Sequence, residues 1–197
     1  MLKIGLTGGI GTGKSSVGKL FQNWGAYIFD ADAIAKDILQ KNEIAQNEII
    51  SEFGTDVIDK SGMIEKTKLA RVAFQDEIHQ LRLNTIIHPF VFKEIDKTFN
   101  EIKKNNKNTL FVVDAALIYE SGADTHMDYV IVVTSQLRIR TERIMNRGGL
   151  TRDEFLKRVD LQWPEEDKVN MADYVINNNG DKQELAREAK NIYKLIT

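Results

Sequence analysis

The chain has 197 residues, of which 42% are hydrophobic and 28% are charged, and its formal net charge is −2. This size and composition are those of one globular domain with room for an inserted subdomain. The absence of cysteine excludes disulfides, thiol catalysis and cysteine-ligated metals. There is no block of like charges and no apolar run of about 18 residues. We therefore expect a cytoplasmic protein whose partners include neither nucleic acid nor a membrane.

Five short, nearly continuous apolar runs predict strands buried on both faces of a parallel sheet. They cover residues 3–7, 26–29, 109–113, 129–133 and 174–177. Helical patterns alternate with them, at residues 15–24, 136–147 and 181–196. Such alternation is typical of right-handed βαβ units, so we predict an α/β fold with a doubly wound, five-stranded parallel sheet.

A glycine-rich loop, residues 8–15, follows the first strand and fits the pattern G-x-x-x-x-G-K-[ST]. Its glycines let backbone N–H groups turn toward phosphate oxygens, and the following helix adds its positive N-terminal dipole. Lys14 can reach the β- and γ-phosphates, and the Ser15 hydroxyl can hold Mg²⁺. A chance match is on the order of 1% in a chain of this length, so we predict a nucleotide site. Its residues are Gly9, Gly11, Thr12, Gly13, Lys14, Ser15 and Ser16.

Carboxylates follow the second and third strands, at the edge of the sheet where ligands of α/β folds bind. Asp32 directly precedes a helical pattern and is a candidate N-cap, but capping does not require Asp30 two residues earlier. The alternative is that Asp32 orients an acceptor hydroxyl and takes its proton late in phosphoryl transfer. Asp114 is either a turn residue or a Walker B acid that holds Mg²⁺ through water. The spacing leaves these alternatives open.

Residues 32–108 lack a strand pattern and hold successive helical patterns, at 33–40, 44–53, 64–74, 76–87 and 91–103. This stretch is predicted to be a helical subdomain inserted after the second strand. Because it follows the carboxyl end of that strand, we expect it to shape substrate choice. His88 and Pro89 separate two of its helices, and Pro89 predicts an extended conformation for His88. In that setting a structural role for His88 is more common than ligand contact.

Three arginines share one face of the helix at 136–147: Arg140, Arg143 and Arg147. Such a face is either solvated, as nearby Glu142 suggests, or directed at phosphates. Gly148 and Gly149 follow the helix, and Thr151 with Glu154 forms a capping box that opens another helix. A glycine hinge between two helices with arginines beside it favours a mobile lid over phosphates.

Together these motifs resemble the dephospho-coenzyme A kinase family over essentially the whole chain. The matching pieces are Leu6 to Ser15, Asp30-Ala31-Asp32 with Ile34-Ala35, Leu83-Asn84 leading to His88-Pro89-Phe90-Val91, Arg143 with Arg147, Gln162 with Lys168, and Ala172 to Asn178. The glycine-rich loop is generic, whereas the Asp-x-Asp, His-Pro and Ile-Asn-Asn pieces in this order are specific.

The resemblance implies one kinase domain, residues 1–197, built from a nucleotide core (1–31 and 109–197), a helical substrate-binding insertion (32–108) and a lid (about 147–168). It implies phosphorylation of the ribose 3′-hydroxyl of dephospho-coenzyme A, the final step of coenzyme A synthesis, with ATP and Mg²⁺. The catalytic residues implied are Lys14, Asp32 and Arg143. The substrate is then bound by Asp32 and His88, and the nucleotide also by Arg147 and Asn178, the latter in the loop bordering the adenine.

Two positions depart from the family pattern. Ala116 replaces a usual proline, so the loop after the third strand is expected to be less rigid, and Phe92 replaces a frequent basic residue. The main alternative is another small-molecule P-loop kinase, such as a nucleoside or nucleotide kinase. A GTPase is disfavoured because the run from Asn106 to Thr109 lacks the acid of the Asn-Lys-x-Asp pattern. A nucleotide-binding protein without catalysis is disfavoured because Lys14, Asp32 and the arginines are all present. We expect a monomer or a weak homo-oligomer.

Overall fold

The structure is a computed structural model that describes residues 1–73, 75–105 and 107–197. The predicted helix end at Phe74 and the Asn106 of the run considered for guanine recognition lie outside these residues. The described chain divides into two compact units. The first contains Met1–Asp30 and Thr98–Thr197, and the second contains Ala31–Lys97.

The first unit is built on a parallel sheet of five strands in the order β2-β3-β1-β4-β5. The strands are β1 (Leu2–Thr7), β2 (Tyr27–Asp30), β3 (Leu110–Asp114), β4 (Tyr129–Thr134) and β5 (Tyr174–Asn177). The predicted doubly wound parallel fold is confirmed. Each apolar run forms a strand because its side chains are buried in the sheet, as in β3, where all four residues before Asp114 are buried.

The described residues form nine α-helices. They are α1 (Lys14–Asn23), α2 (Ala31–Lys41), α3 (Glu43–Phe53), α4 (Lys66–Ala73), α5 (Glu77–Asn105), α6 (Leu137–Arg147), α7 (Arg152–Asp160), α8 (Glu165–Met171) and α9 (Lys182–Ile196). Within the described ranges, no helix has the length and apolar character needed to cross a membrane.

One apolar core joins the sheet to α1 and α9. Phe21 of α1 and Tyr193 of α9 meet edge to face, with ring centroids 5.3 Å apart, and Trp24 contacts Tyr193 in the same way. The Tyr193 hydroxyl donates to the Trp24 carbonyl oxygen at 2.6 Å, so its polar group is satisfied inside this core. The first helix after the glycine-rich loop is thereby fixed against the sheet.

Strand register brings the loops after the strands to one edge of the sheet. Leu6 of β1 lies beside Asp114 of β3, and Asp114 lies beside Asp30 of β2. On the other side, Thr134 of β4 lies beside Asn177 of β5. Chain order reverses about β1, which lies between β3 and β4, and this is where ligands of doubly wound sheets bind.

The second unit is helical, as predicted. It contains α2, α3, α4 and most of α5, with one isolated antiparallel bridge between Ile58 and Ile64 among its described residues. The Asn42 side chain caps α3 by accepting from the N–H of Ala45 at 3.1 Å. The last turns of α5 belong instead to the first unit, where Phe99 packs edge to face on Phe111 at 5.4 Å.

In the second unit one local prediction is wrong, and one of the alternatives left open for Asp32 is excluded. The helix α5 is continuous through His88 and Pro89, so His88 is helical and not extended. Buried apolar residues at four-residue spacing on both sides of Pro89 keep the helix together: Leu83, Ile87, Val91 and Ile95. The strand β2 passes directly into α2 at Ala31, so Asp32 lies inside the first helical turn and is not an N-cap.

Candidate active site

The loop between β1 and α1 has the compact shape expected of a phosphate cradle. The N–H of Thr12 donates to the carbonyl oxygen of Gly9 at 3.2 Å, and that of Ser16 donates to Gly13 at 2.9 Å. Gly13 has φ 98°, in the left-handed region that favours glycine. A Cβ added there would overlap the side-chain amide of Asn178. Glycine is therefore needed at position 13 both for backbone conformation and for space.

One side chain from the loop after β5 and one from helix α6 contact the Thr12 carbonyl oxygen of this loop. The Asn178 amide, after β5, donates to the Thr12 carbonyl oxygen at 2.7 Å, and Nη1 of Arg143 approaches the same oxygen at 3.5 Å. Peptide bonds here are trans, so a carbonyl held outward turns the next N–H the other way. The N–H of Gly13 is thus directed away from Asn178. Thr12 itself is fully buried and shapes the loop.

The reactive end of the loop carries an ion pair. The Lys14 ammonium bonds to Oδ1 of Asp114, and both side chains are largely buried, at 14% and 13% exposure. Asp114 was predicted to follow β3 beside the nucleotide loop, and the sheet register brings it there. The attraction between two opposite charges is strong when both are largely removed from water. The ion pair therefore fixes the ammonium beside the carboxyl end of β3.

The three arginines of α6 have different environments. Arg140 is 4% exposed, and its Nε donates to the Ile10 carbonyl oxygen at 2.8 Å while Nη1 donates to Glu165 at 2.9 Å. Burial lowers the pKa of Arg140, and the charge of Glu165 opposes that shift. The prediction of one arginine face, either solvated or directed at phosphates, is wrong for Arg140 because it is buried against protein acceptors.

Arg143 is half-buried and contacts the loops after β4 and β5. Its Nη2 donates to the carbonyl oxygen of Asn178 at 3.0 Å and to Oδ1 of the same residue at 3.2 Å, and its Nη1 to Ser135 at 3.3 Å. Arg147 is exposed at the end of α6, before Gly148 and Gly149, which both have positive φ. Arg143 is thus hydrogen-bonded to the loops after β4 and β5, whereas Arg147 is exposed beside the two glycines.

The predicted capping box at the start of α7 is confirmed: the Thr151 hydroxyl accepts from the N–H of Glu154 at 3.2 Å, and Glu154 accepts from the N–H of Thr151 at 2.7 Å. Further along, the Gln162 side chain accepts from the N–H of Ile10 at 3.1 Å. This contact was not predicted, because Gln162 was known only as a residue matching a family pattern.

A second unpredicted group fixes the loop after β3. The Lys168 ammonium, fully buried, lies 2.6 Å from Oε1 of Glu120 and donates to the Ala116 carbonyl oxygen at 3.3 Å. The Thr7 hydroxyl donates to the same oxygen at 3.2 Å. The loop that lacks the usual proline at Ala116 is thus held by side-chain bonds. In sequence, Lys168 follows three acidic residues and resembles a solvated charge.

Both the sequence and the fold resemble those of known proteins. The profile of the family described as dephospho-CoA kinase matches residues 2–184. The chain belongs to the dephospho-CoA kinase family. A dephospho-CoA kinase of Aquifex aeolicus (strain VF5) is 38% identical over 198 residues, covering 100% of this chain and 98% of that protein. As a family member with an intact phosphate loop, the chain is a P-loop kinase.

Two solved structures resemble this member of the dephospho-CoA kinase family along its whole length. A protein from Thermus thermophilus has a TM-score of 0.80 at 31% identity, covering 100% of this chain and 98% of that one. The dephospho-CoA kinase from Campylobacter jejuni has a TM-score of 0.69 at 27% identity, covering 98% and 96% respectively. The fold and the family assignment therefore agree.

Asp32 and His88, the residues matched to acceptor binding in the dephospho-CoA kinase family, lie in the second unit. Asp32 is exposed in the first turn of α2. His88 is half-buried in α5, and its ring centroid is 5.9 Å from that of Phe92 one turn later. Burial lowers the pKa of His88, which favours the neutral imidazole. Phe92, where the family often has a basic residue, is thus an aromatic neighbour of His88.

The side chains beside the phosphate loop are suited to a magnesium ion that binds together with a nucleotide and not to one held by protein ligands alone. Within residues 1–73, 75–105 and 107–197, no cluster of three His, Cys, Asp or Glu side chains could hold a metal alone. The Ser15 side chain is exposed in the first turn of α1. Mg²⁺ usually keeps several waters and takes one or two protein ligands together with substrate phosphates. A single hydroxyl beside the phosphate cradle is suited to that role.

Proposed function

We propose that this chain transfers the γ-phosphoryl group of ATP to the ribose 3′-hydroxyl of dephospho-coenzyme A, giving coenzyme A and ADP. The observation that carries the proposal is a glycine-rich loop in a chain that matches the dephospho-CoA kinase family over residues 2–184. The Ile10 and Thr12 carbonyl oxygens of this loop are bonded by side chains outside it, and Lys14 lies at its end. The enzyme is expected to act in the cytoplasm.

The nucleotide is proposed to bind along the loop at the carboxyl edge of the sheet. The backbone N–H groups of Gly9, Gly11 and Gly13 face the phosphates, and the Lys14 ammonium neutralises the β- and γ-phosphates. Ser15 supplies a hydroxyl ligand for Mg²⁺, and Ser16 a second hydroxyl in the same turn. Mg²⁺ held there would offset the negative charge of the phosphates during transfer.

Asp32 is proposed as the residue that positions the acceptor. Its carboxylate accepts a hydrogen bond from the 3′-hydroxyl, whose oxygen forms a bond to the γ-phosphorus. The bond from that phosphorus to the β–γ bridging oxygen breaks, ADP leaves with the oxygen, and the hydroxyl proton passes to Asp32. Because the transition state is loose, correct placement contributes more than basicity. His88 is proposed to bind the same substrate.

The segment of about residues 147–168 is proposed to close over the phosphates. Support comes from Gly148 and Gly149, two consecutive residues with φ of 72° and 86°, which join α6 to α7. Arg147 is exposed beside them and is proposed to contact the nucleotide on closure. Arg143 is proposed to act next to the transferred group, and Asn178 to border the adenine.

A substrate panel tests the function directly. ATP and Mg²⁺ are supplied with dephospho-coenzyme A, AMP, adenosine or pantothenate, and ADP release is followed. Only dephospho-coenzyme A should be turned over well, and phosphorus NMR should locate the new monoester on the ribose 3′-oxygen. Lys14→Met is the negative control. Preferred phosphorylation of adenosine or AMP would instead establish a nucleoside or nucleotide kinase.

A further inference from the structure

A short segment between α7 and α8, with the first turn of α8, is bonded to the phosphate loop and to the loop after β3. We call residues 162–168 the latch segment. Its Gln162 bonds to the backbone of Ile10, and its Glu165 pairs with Arg140 at 2.9 Å, which in turn bonds to Ile10. At its other end, Lys168 bonds to Glu120 in the loop after β3.

Ile10 is unusual because side chains hold both of its backbone polar groups. Its N–H donates to Gln162 at 3.1 Å, and its carbonyl oxygen accepts from Arg140 at 2.8 Å. The peptide plane before Ile10 is also fixed at its other end, because the Gly9 carbonyl oxygen accepts from Thr12 at 3.2 Å. The plane after Ile10 carries the N–H of Gly11, which trans geometry directs away from Arg140. The latch segment therefore determines the orientation of two consecutive peptide planes.

The contacts are close and shielded from water. A Cβ added at Gly9 would lie 2.6 Å from both Arg140 and Glu165, so the ion pair sits directly on the loop. Arg140 is 4% exposed and Lys168 is completely buried. Hydrogen bonds to buried charged groups are about twice as strong as neutral ones, and leaving such a group without a partner is costly. Loss of the docked latch segment would therefore disturb the loop backbone.

We propose that Gln162 and Glu165 are positioning residues that fix the phosphate loop, so that docking of the latch segment and nucleotide binding favour each other. The inference rests on the proposed function only for the identity of the phosphate donor. The latch segment belongs to the region proposed as the lid. A change in the conformation of that region would therefore alter the contacts to Ile10 and, through them, the backbone of the phosphate loop. By linkage, bound nucleotide must stabilise the docked segment by the same factor.

The test uses Gln162→Met, which keeps the length of the side chain and removes its oxygen. Glu165→Gln is a second variant that keeps one acceptor for Arg140 but removes the charge. Gln183→Met, at an exposed position of α9, is the matched control. ADP binding is measured by calorimetry without acceptor, and the KM values for ATP and dephospho-coenzyme A are measured separately.

For Gln162→Met we expect ADP affinity and the KM for ATP to worsen about fivefold, as for one neutral hydrogen bond. The KM for the acceptor should stay within about twofold, Glu165→Gln should shift in the same direction, and the control should match the parent. A merely structural role would lower the melting temperature and leave ADP affinity unchanged. That result, or equal worsening of both KM values, would overturn the proposal.

Trypsin gives the reciprocal measurement, because α7 exposes Arg152, Lys157 and Arg158. Saturating ADP should slow cleavage in α7 more in the parent than in Gln162→Met. Equal slowing in both proteins would contradict the coupling. If the parent binds ADP and shows these differences but does not phosphorylate dephospho-coenzyme A, the proposed function fails and the role of the latch segment stands.

Discussion

Substitution of Gly13 by alanine tests how the phosphate loop is held. The added Cβ meets two obstacles in the structure. First, φ of 98° at this residue costs a side-chain-bearing residue about 1–2 kcal/mol. Second, the Cβ would overlap the Asn178 amide, which would have to give up its 2.7 Å bond to the Thr12 carbonyl oxygen. Leaving that buried oxygen with a weaker partner costs about 1–3 kcal/mol.

The expected loss in the free energy of unfolding is therefore about 3 kcal/mol for Gly13→Ala. In an Asn178→Ala background the overlap is already relieved, so the same substitution should cost only the conformational strain of about 1–2 kcal/mol. The two substitutions should thus be non-additive by about 2 kcal/mol. Urea unfolding without nucleotide, followed by circular dichroism, measures all four proteins of this cycle.

Gly122→Ala is the matched control, because Gly122 has φ 71° and open space around its Cα. Its cost should be the strain alone and should be the same in the parent and in the Asn178→Ala background. The reasoning is refuted if Gly13→Ala costs the same in both backgrounds. In that case Asn178 does not hold the loop, and the requirement for glycine is conformational only.

Three further predictions concern charge and protonation. Lys14→Met should reduce turnover at least about a thousandfold. It should also lower the free energy of unfolding by about 3 kcal/mol, because it removes the ammonium from the largely buried Asp114. Adding Asp114→Asn should recover stability but not turnover, and full stability of the single variant would contradict this. Asp32→Asn should lower kcat roughly a hundredfold with ATP affinity unchanged, whereas a loss confined to unfolding free energy would mean a structural role. Burial lowers the pKa of His88 from its ordinary 6.5, so the native state binds fewer protons than the unfolded state and stability should fall as the pH drops through about 6.5. His88→Gln should flatten the pH dependence of stability, measured by urea titrations at several pH values. It should also raise the KM for dephospho-coenzyme A about fivefold. An unchanged pH dependence of stability would show that the imidazole is not the titrating group.

Local sequence signals were sufficient for the sheet and the phosphate loop. A short apolar run such as that of β3, one of five that alternate with helical patterns, indicates a buried strand, and the loop motif specifies its own strand-turn-helix setting. The same local signals failed at Pro89. A proline inside a helix costs about 3 kcal/mol, whereas each buried aliphatic side chain contributes about 1.5–3 kcal/mol. Four such residues in α5 outweigh the break, and their burial is a tertiary property.

The residues of the candidate site were predictable only where a continuous sequence motif specifies their role. Lys14 and Ser15 follow from the motif, but the partner of Arg140 is Glu165, 25 residues further along. A sequence shows charged residues without their pairing, so a buried arginine in α6 and a buried Lys168 in an acidic run both resemble solvated surface. Only the fold decides which charges are removed from water.

The phosphate loop therefore depends on residues that its motif does not contain. Its N–H donors are oriented because the carbonyl oxygens of Ile10 and Thr12 are held from outside, one by Arg140 and the other by Asn178. Because a trans peptide couples each carbonyl to the next N–H, losing an outer bond misdirects an inner donor. Electrostatic stabilisation of the transferred phosphoryl group requires preorganised donors. Substitutions in the surrounding loops should hence act on phosphate affinity through the backbone of the motif.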